Sequence, residues 1–267
     1  MTSVAPSSSP ALVKRVWLHR MGCTHSGYGQ EEQLEQPQIM EVADILVMND
    51  ASTDHTYDIV TNRGHQVINH VYNLGYGCGL WVGYKYAVNK GYRYIIQMDA
   101  DGQHDACNVM ELYQRLTSEG QSGHKPDIVL GSRFLNGSVA YPVSFVKKVA
   151  YKMFRILIRL GTGRKIQDPT TGLQGLSRRA FSFYAGFSHF DDKYPDANMI
   201  MQMLLLGFCV EEVPAVMHTR INGVSMHSGI IKPVFYMFRM MFSIIAVWIR
   251  VKLYRVDKGI TNEETVT

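Results

Sequence analysis

The sequence predicts an α/β fold with a mainly parallel, doubly wound sheet, and three observations point to it. Short apolar runs alternate with helix-like stretches between residues 44 and 131, several of these runs end in a polar cluster, and no internal repeat or heptad array competes. Residues 44–49 form the first clear strand candidate, and residues 54–61 start a helix after it. Residues 65–70 form a second, weaker strand. Residues 80–90 then show helical spacing and stop at Gly91, a fitting C-terminal residue. A third strand at 92–98, a helix at 109–119 and a fourth strand at 127–131 complete the alternation. In sheets of this kind ligands sit beyond the carboxyl ends of the strands, so the polar clusters there are the segments to examine.

Composition narrows the function classes. The 267 residues are 46% hydrophobic and 19% charged, enough to bury a core. The net charge of +4, from 27 Lys and Arg against 23 Asp and Glu, is too small to argue for nucleic acid, which is not expected as a partner. Four cysteines lack both a CxxC pair and a His at zinc-ligand spacing, so a disulfide scaffold or structural zinc is not expected and a reducing compartment is. The N-terminus does not read as a secretion signal, and no stretch offers about 18 uncharged apolar residues in a row.

Three clusters follow strands. Residues 49–54, NDASTD, place Asp50 where it either caps a helix or accepts hydrogen bonds from a base or ribose. Residues 73–83, NLGYGCGLWVG, superficially suggest a dinucleotide fingerprint, but the loop follows the weakest strand and reads better as a flexible turn opening a helix. Residues 99–105, DADGQHD, put two carboxylates at a strand end with a glycine to turn the chain. Paired carboxylates of this kind repel one another unless a cation or ligand joins them, and they suit a hard divalent ion.

Taken in order, NDASTD, the glycine-rich stretch, DADGQHD, DIVLGSRF at 127–134 and DPTTGLQG at 168–175 resemble the inverting nucleotide-sugar glycosyltransferases of family 2. The likeness runs from about residue 44 to 227 and is strongest to the dolichol-phosphate-mannose-synthase-like and bacterial polysaccharide branches. It implies the GT-A fold, a Mg²⁺ or Mn²⁺ cofactor, and a UDP- or GDP-linked sugar donor. By similarity Asp50 would contact the nucleobase, Asp99 the ribose or the metal, and Asp101 the metal, with Gln103 a further ligand. Arg133 would face the diphosphate or an acceptor phosphate, and Arg220, in a stretch at 220–225 that resembles the family's mobile segment, would close on the donor diphosphate. The family often carries Arg where this chain has Gln174. Asp196, in YPD at 194–196, is either a helix N-cap or the base that deprotonates an acceptor hydroxyl, with Asp191 and Asp192 behind it. An acceptor that is already a phosphate would need no base.

Two amphipathic stretches suggest a membrane surface. Residues 146–160 align Val146, Val149, Ala150, Met153, Leu157 and Leu160 beside Lys147, Lys148, Lys152, Arg155 and Arg159. No acid occurs between Pro142 and Gln167. This pattern fits either a core helix with a solvated basic face or a basic surface meeting anionic lipid. Residues 233–254 repeat it more strongly, with Phe235, Phe238, Met241, Phe242, Ile245 and Trp248 sharing a face among Lys232, Arg239, Arg250, Lys252 and Arg255. The expected organisation is an atypical N-terminal segment (1–40), a catalytic domain (41–228) and an amphipathic, membrane-surface helix (229–257). The protein would be cytoplasmic, peripheral at the inner face of the membrane, and would act on a lipid-linked or glycan acceptor.

The first forty residues depart from the family pattern. Residues 12–18 could supply the expected first strand, but no acidic nucleotide-holding turn follows it, and Pro37 interrupts the next helix. That departure leaves a second reading open, an impaired homologue serving as a binding or scaffold subunit. A sugar-1-phosphate nucleotidyltransferase ranks last, because its Gly-rich, Arg-containing loop is missing.

Overall fold

The computed structural model describes residues 18–20, 43–120, 123–140, 143–191, 193–219 and 231–253. In chain order the strands are β1 (Leu18–Arg20), β2 (Leu46–Asn49), β3 (Gln66–Asn69), β4 (Tyr94–Gln97), β5 (Ile128–Ser132), β6 (Gln174–Ser177) and β7 (Val210–Pro214). The helices are α1 (Thr56–Asn62), α2 (Tyr76–Asn89), α3 (Cys107–Thr117), α4 (Phe145–Thr162), α5 (Arg178–Ala185), α6 (Ala197–Leu205) and α7 (Ile231–Trp248). A π-helical turn, Ile249–Leu253, continues α7.

Strands β1, β2 and β3 form a parallel sheet in that order, and the second sheet runs β4-β6-β5-β7. Strand β1, a little later in sequence than expected, pairs Leu18 with Val47 and also lies against β4, which makes it the central strand between the two sheets. The second sheet is mixed. Strand β6 is antiparallel to both β4 and β5, whereas β5 and β7 are parallel. The antiparallel insertion matters for the site. Because Gln174 pairs with both Gln97 and Leu130, the turn entering β6 reaches the same edge where β4 and β5 end.

Side chains alternate across the strands as a sheet covered on both faces requires. Leu46, Met48, Ile95, Ile128 and Leu130 join a core with α2, α4, α5, α6 and α7, while Ile45, Val47, Ile96 and Val129 join a second core with α1 and α3. Helix α2 begins four residues before the expected start. Gly75, at φ 91°, makes the turn, and buried Gly77, Gly79 and Gly83 lie within a helix that packs on α5. Helix α7 is not a separate appendage: Met240, Ile244 and Val247 are buried against α4 and α6.

Candidate active site

The loop after β4 carries Asp99, Asp101 and Gln103. The Asp101 carboxylate accepts a hydrogen bond from the Gln103 backbone N–H at 3.0 Å, closing a tight turn. The Gln103 carbonyl in turn accepts from His218 N at 2.7 Å, and His218 Nε2 lies 2.9 Å from Asp105 Oδ2. The loop is thus stitched to the strand exit that leads towards residue 220. Arg220 itself, like Asp192, lies outside the described residues. Asp99 sits directly over Gly172, where an added Cβ would come within 2.5 Å of Asp99 Oδ2. Gln97 fixes that approach, since its side chain donates to the Gly172 carbonyl at 3.2 Å and accepts from Tyr84 Oη at 2.5 Å. His104, buried, lies 3.9 Å from Asp99.

Asp50 has a structural job that the sequence reading did not include. It is 1% exposed, and its carboxylate accepts from Leu74 N and Gly75 N at 2.8 Å each, with His70 Nδ1 at 2.9 Å. These contacts fix the turn into α2. The first residue of α2, Tyr76, hydrogen-bonds Asp99. Burial, reinforced by the Asp99 charge, raises the Tyr76 phenol well above its ordinary pKa, so it remains a proton donor to that carboxylate.

Arg133, directly after β5, is held in a bidentate pair with Asp168, a residue to which the sequence pattern alone gives no role. Arg133 Nε donates to Asp168 Oδ2 at 2.7 Å and Nη2 donates to Oδ1 at 2.6 Å, with Thr170 Oγ1 accepting at 2.8 Å. Asp168 is wholly buried, and its backbone N–H donates to Glu212 of β7 at 2.7 Å. Such a pair is a rigid fixture, since removing one partner strands a buried charge at a cost of about 3–5 kcal/mol. Gln174, at the position where the family often has Arg, is buried and donates to the Thr171 carbonyl at 2.9 Å.

Asp196 stands at the N-terminus of α6 but makes no capping hydrogen bond there. Its carboxylate instead accepts from the hydroxyl of Tyr236, on α7. Desolvation by the surrounding protein pushes its pKa from 3.8 up to about 7. The Tyr236 hydrogen bond and Arg133 oppose that rise, while the charges of Asp168 and Asp99 add to it. A carboxyl group so placed is poised to exchange a proton near neutral pH. The apolar periodicity of the C-terminal stretch gives no sign of Tyr236, which lies off the exposed stripe. The available signal was the spacing of Tyr236, Met240, Ser243 and Val247, which marks the opposite, inward face.

Asp99 and Asp101, Arg133, Asp168 and Asp196 thus come from four segments of the chain, and electrostatic coupling of Asp196 to Arg133, Asp168 and Asp99 links all four. No group of three His, Cys, Asp or Glu side chains able to hold a metal occurs among the described residues. The donor set still fits a hard cation of the Mg²⁺ type, which takes one or two carboxylates and completes its shell with substrate phosphate oxygens. Asp99, with 36% of its side chain exposed, is accessible to such a ligand.

Residues 33–184, more than half the chain, match the glycosyl transferase family 2 domain. The chain belongs to glycosyl transferase family 2. Among the relatives of this glycosyltransferase, a polyprenol monophosphomannose synthase of Mycolicibacterium smegmatis is 28% identical over 194 residues, covering 69% of this chain and 70% of the relative. An undecaprenyl-phosphate mannosyltransferase of Micrococcus luteus is 27% identical over 203 residues, covering 70% and 76%. In structure, the glycosyltransferase superposes on glucosyl-3-phosphoglycerate synthase of Mycobacterium tuberculosis, solved with Mn²⁺ and UDP-glucose. The TM-score is 0.62 at 15% identity, covering 89% of this chain and 79% of that one. The fold is therefore of the GT-A type.

Away from the site, the glycosyltransferase exposes an apolar stripe. Phe235, Phe238, Phe242 and Ile245 of α7 face outward, and neighbouring α4 exposes Phe145, Val149, Ile156 and Leu160 among Lys148, Lys152 and Arg159. Val234–Leu253 is long and apolar enough to cross a membrane by length and composition, although 22% of that stretch is buried in the protein.

Proposed function

We propose that the enzyme transfers a sugar, with inversion, from a nucleoside-diphosphate donor to a hydroxyl of a lipid-linked or glycan acceptor at a membrane surface. The observation that carries this reading is the Asp196 carboxyl, held near neutrality beside the Asp99 loop instead of capping its own helix. The named activities of the relatives, mannosyl transfer involving polyprenol or undecaprenyl phosphate, support a lipid acceptor, while the choice of a hydroxyl over a phosphate as the attacking group rests on Asp196 alone.

Asp196 takes the acceptor hydroxyl proton as the acceptor oxygen bonds to the anomeric carbon. On the opposite face the bond from that carbon to the diphosphate oxygen breaks, and its electron pair leaves with the diphosphate. Asp99 and Asp101 would hold a Mg²⁺ or Mn²⁺ ion together with the donor. Such an ion, when bound, neutralises charge on the departing diphosphate. Tyr76 keeps the Asp99 carboxylate in place, and Asp50 acts at one remove by fixing the turn from which Tyr76 projects. The buried Arg133–Asp168 pair acts on Asp196 in both senses, Arg133 favouring its ionised form and Asp168 opposing it. Arg220 belongs to the segment that would close over the donor.

The exposed Phe stripe of α7, with the basic residues of α4, fits a helix lying in the headgroup layer of an anionic membrane on the cytoplasmic side. Nucleotide release from a panel of UDP-, GDP- and dTDP-sugars, with and without Mn²⁺, tests the proposal. Release from one donor class that depends on the metal supports it. No release from any donor, with tight binding of a partner protein, would favour a scaffold subunit instead.

A further inference from the structure

The C-terminal helix reaches the base twice. Tyr236 Oη donates to Asp196 Oδ2. Seven residues on, Ser243 lies 2.9 Å from Asn198 Nδ2 and accepts its hydrogen bond. Asn198 is 1% exposed and is a hub. Its Oδ1 accepts from Asp196 N at 2.8 Å and Met199 N at 2.9 Å, while Nδ2 also donates to Asp191 Oδ2 at 2.7 Å. Side chain and backbone of Asp196 are therefore both tied to the inward face of α7, two turns apart. The outward face of the same helix carries Phe235, Phe238 and Phe242.

We propose that Tyr236 is the positioning residue for the Asp196 carboxylate, which makes the helix with the exposed apolar stripe a working part of the transfer site. This inference rests on Asp196 being the base. A half-buried phenol donating to one carboxylate oxygen does two things. It stabilises the ionised form that accepts a proton, and it turns the second oxygen, Oδ1, towards an incoming hydroxyl. Tyr236 is enclosed by Phe154 of α4, whose ring centroid is 6.4 Å away at 83°, and by Tyr194 at 6.2 Å, so its hydroxyl has little freedom to leave. The other ionisable groups acting on Asp196 or Tyr236 are Arg133 after β5, Asp168 before β6, Asp99 after β4, Tyr76 of α2 and Tyr151 of α4. Arg239 of α7 stacks on Tyr194, 4.4 Å from its ring centre, and Asp191 is taken up by Asn198 and two backbone N–H groups. Among these, Tyr236 alone has a hydrogen bond to the Asp196 carboxylate within the described residues.

The test is the pH dependence of kcat, at saturating Mn²⁺ and donor, for wild type, Tyr236→Phe, Ser243→Ala and Asp196→Asn. Loss of a hydrogen bond to the charged form should move the acidic limb of Tyr236→Phe up by about one pH unit. Its kcat then falls roughly tenfold below the limb and stays within about twofold on the plateau, with donor KM unchanged. Ser243→Ala, which touches the hub and not the carboxylate, should leave the limb where it is. Difluorotyrosine placed at 236, a stronger donor, should move the limb down, and it keeps the question open to measurement if the Phe variant does not fold. A uniform fall at every pH, or an equal limb shift in Ser243→Ala, overturns the positioning role. Undiminished activity of Asp196→Asn would instead overturn the assignment of the base.

Discussion

Replacing Asp196 by Asn should weaken the enzyme and strengthen the fold. The native pKa of about 7 lies above the ordinary 3.8, so between those values the folded chain holds a proton that the unfolded chain has released. Stability contributed by this group is complete below pH 3.8 and is lost as pH rises through 7. That gap corresponds to about 4 kcal/mol at pH 8, a ceiling for what the substitution can recover. Asn retains an oxygen for the Tyr236 hydroxyl, so little of the gain is given back through a stranded phenol. Urea unfolding should therefore show the variant more stable by about 1–3 kcal/mol at pH 8, with the difference shrinking towards zero near pH 4. Sugar transfer should fall by about a hundredfold or more, the usual contribution of a positioned base. Equal or lower stability at pH 8, or activity within tenfold of wild type, would refute the desolvated base.

Two further outcomes follow from geometry. Gly172→Ala places a Cβ against the Asp99 carboxylate, which must move while the backbone need not; the variant should fold normally but lose about a hundredfold in kcat/KM for the donor. Phe235, Phe238 and Phe242 are 73%, 48% and 64% exposed, so changing all three to Ser should leave thermal unfolding nearly unchanged. It should weaken cosedimentation with phosphatidylglycerol vesicles at least about tenfold, and unaltered binding would remove the stripe from the membrane contact.

The alternation of apolar runs with helices was legible because β2, β4 and β5 are buried on both faces and so read as continuous hydrophobic stretches. Strand β6 was not, since its Gln, Gly, Leu and Ser have little strand character of their own and take it from pairing on both sides. Strand β7, at the sheet edge and paired only with β5, is hidden because two glutamates and a proline give it little strand character of its own. At the site, the DADGQHD turn was visible as a local string. The roles of Asp168 and Tyr236 were not, because each is defined by a partner 35 or 40 residues away. Asp50 shows the converse. Its position after a strand was plain, but the turn it supports depends on how α2 begins. The outward stripe of α7 matched its helical spacing closely, since a periodic surface pattern needs no tertiary knowledge.

The proposed transfer also requires Asp99 and Asp101 to hold a divalent cation against the donor diphosphate. Calorimetric titration of UDP and GDP, with and without Mn²⁺, into wild type and Asp101→Ala tests it most directly, with circular dichroism confirming the fold. Mn²⁺ should tighten nucleotide binding at least about tenfold in wild type and hardly at all in the variant. An equal Mn²⁺ enhancement in both proteins would contradict it.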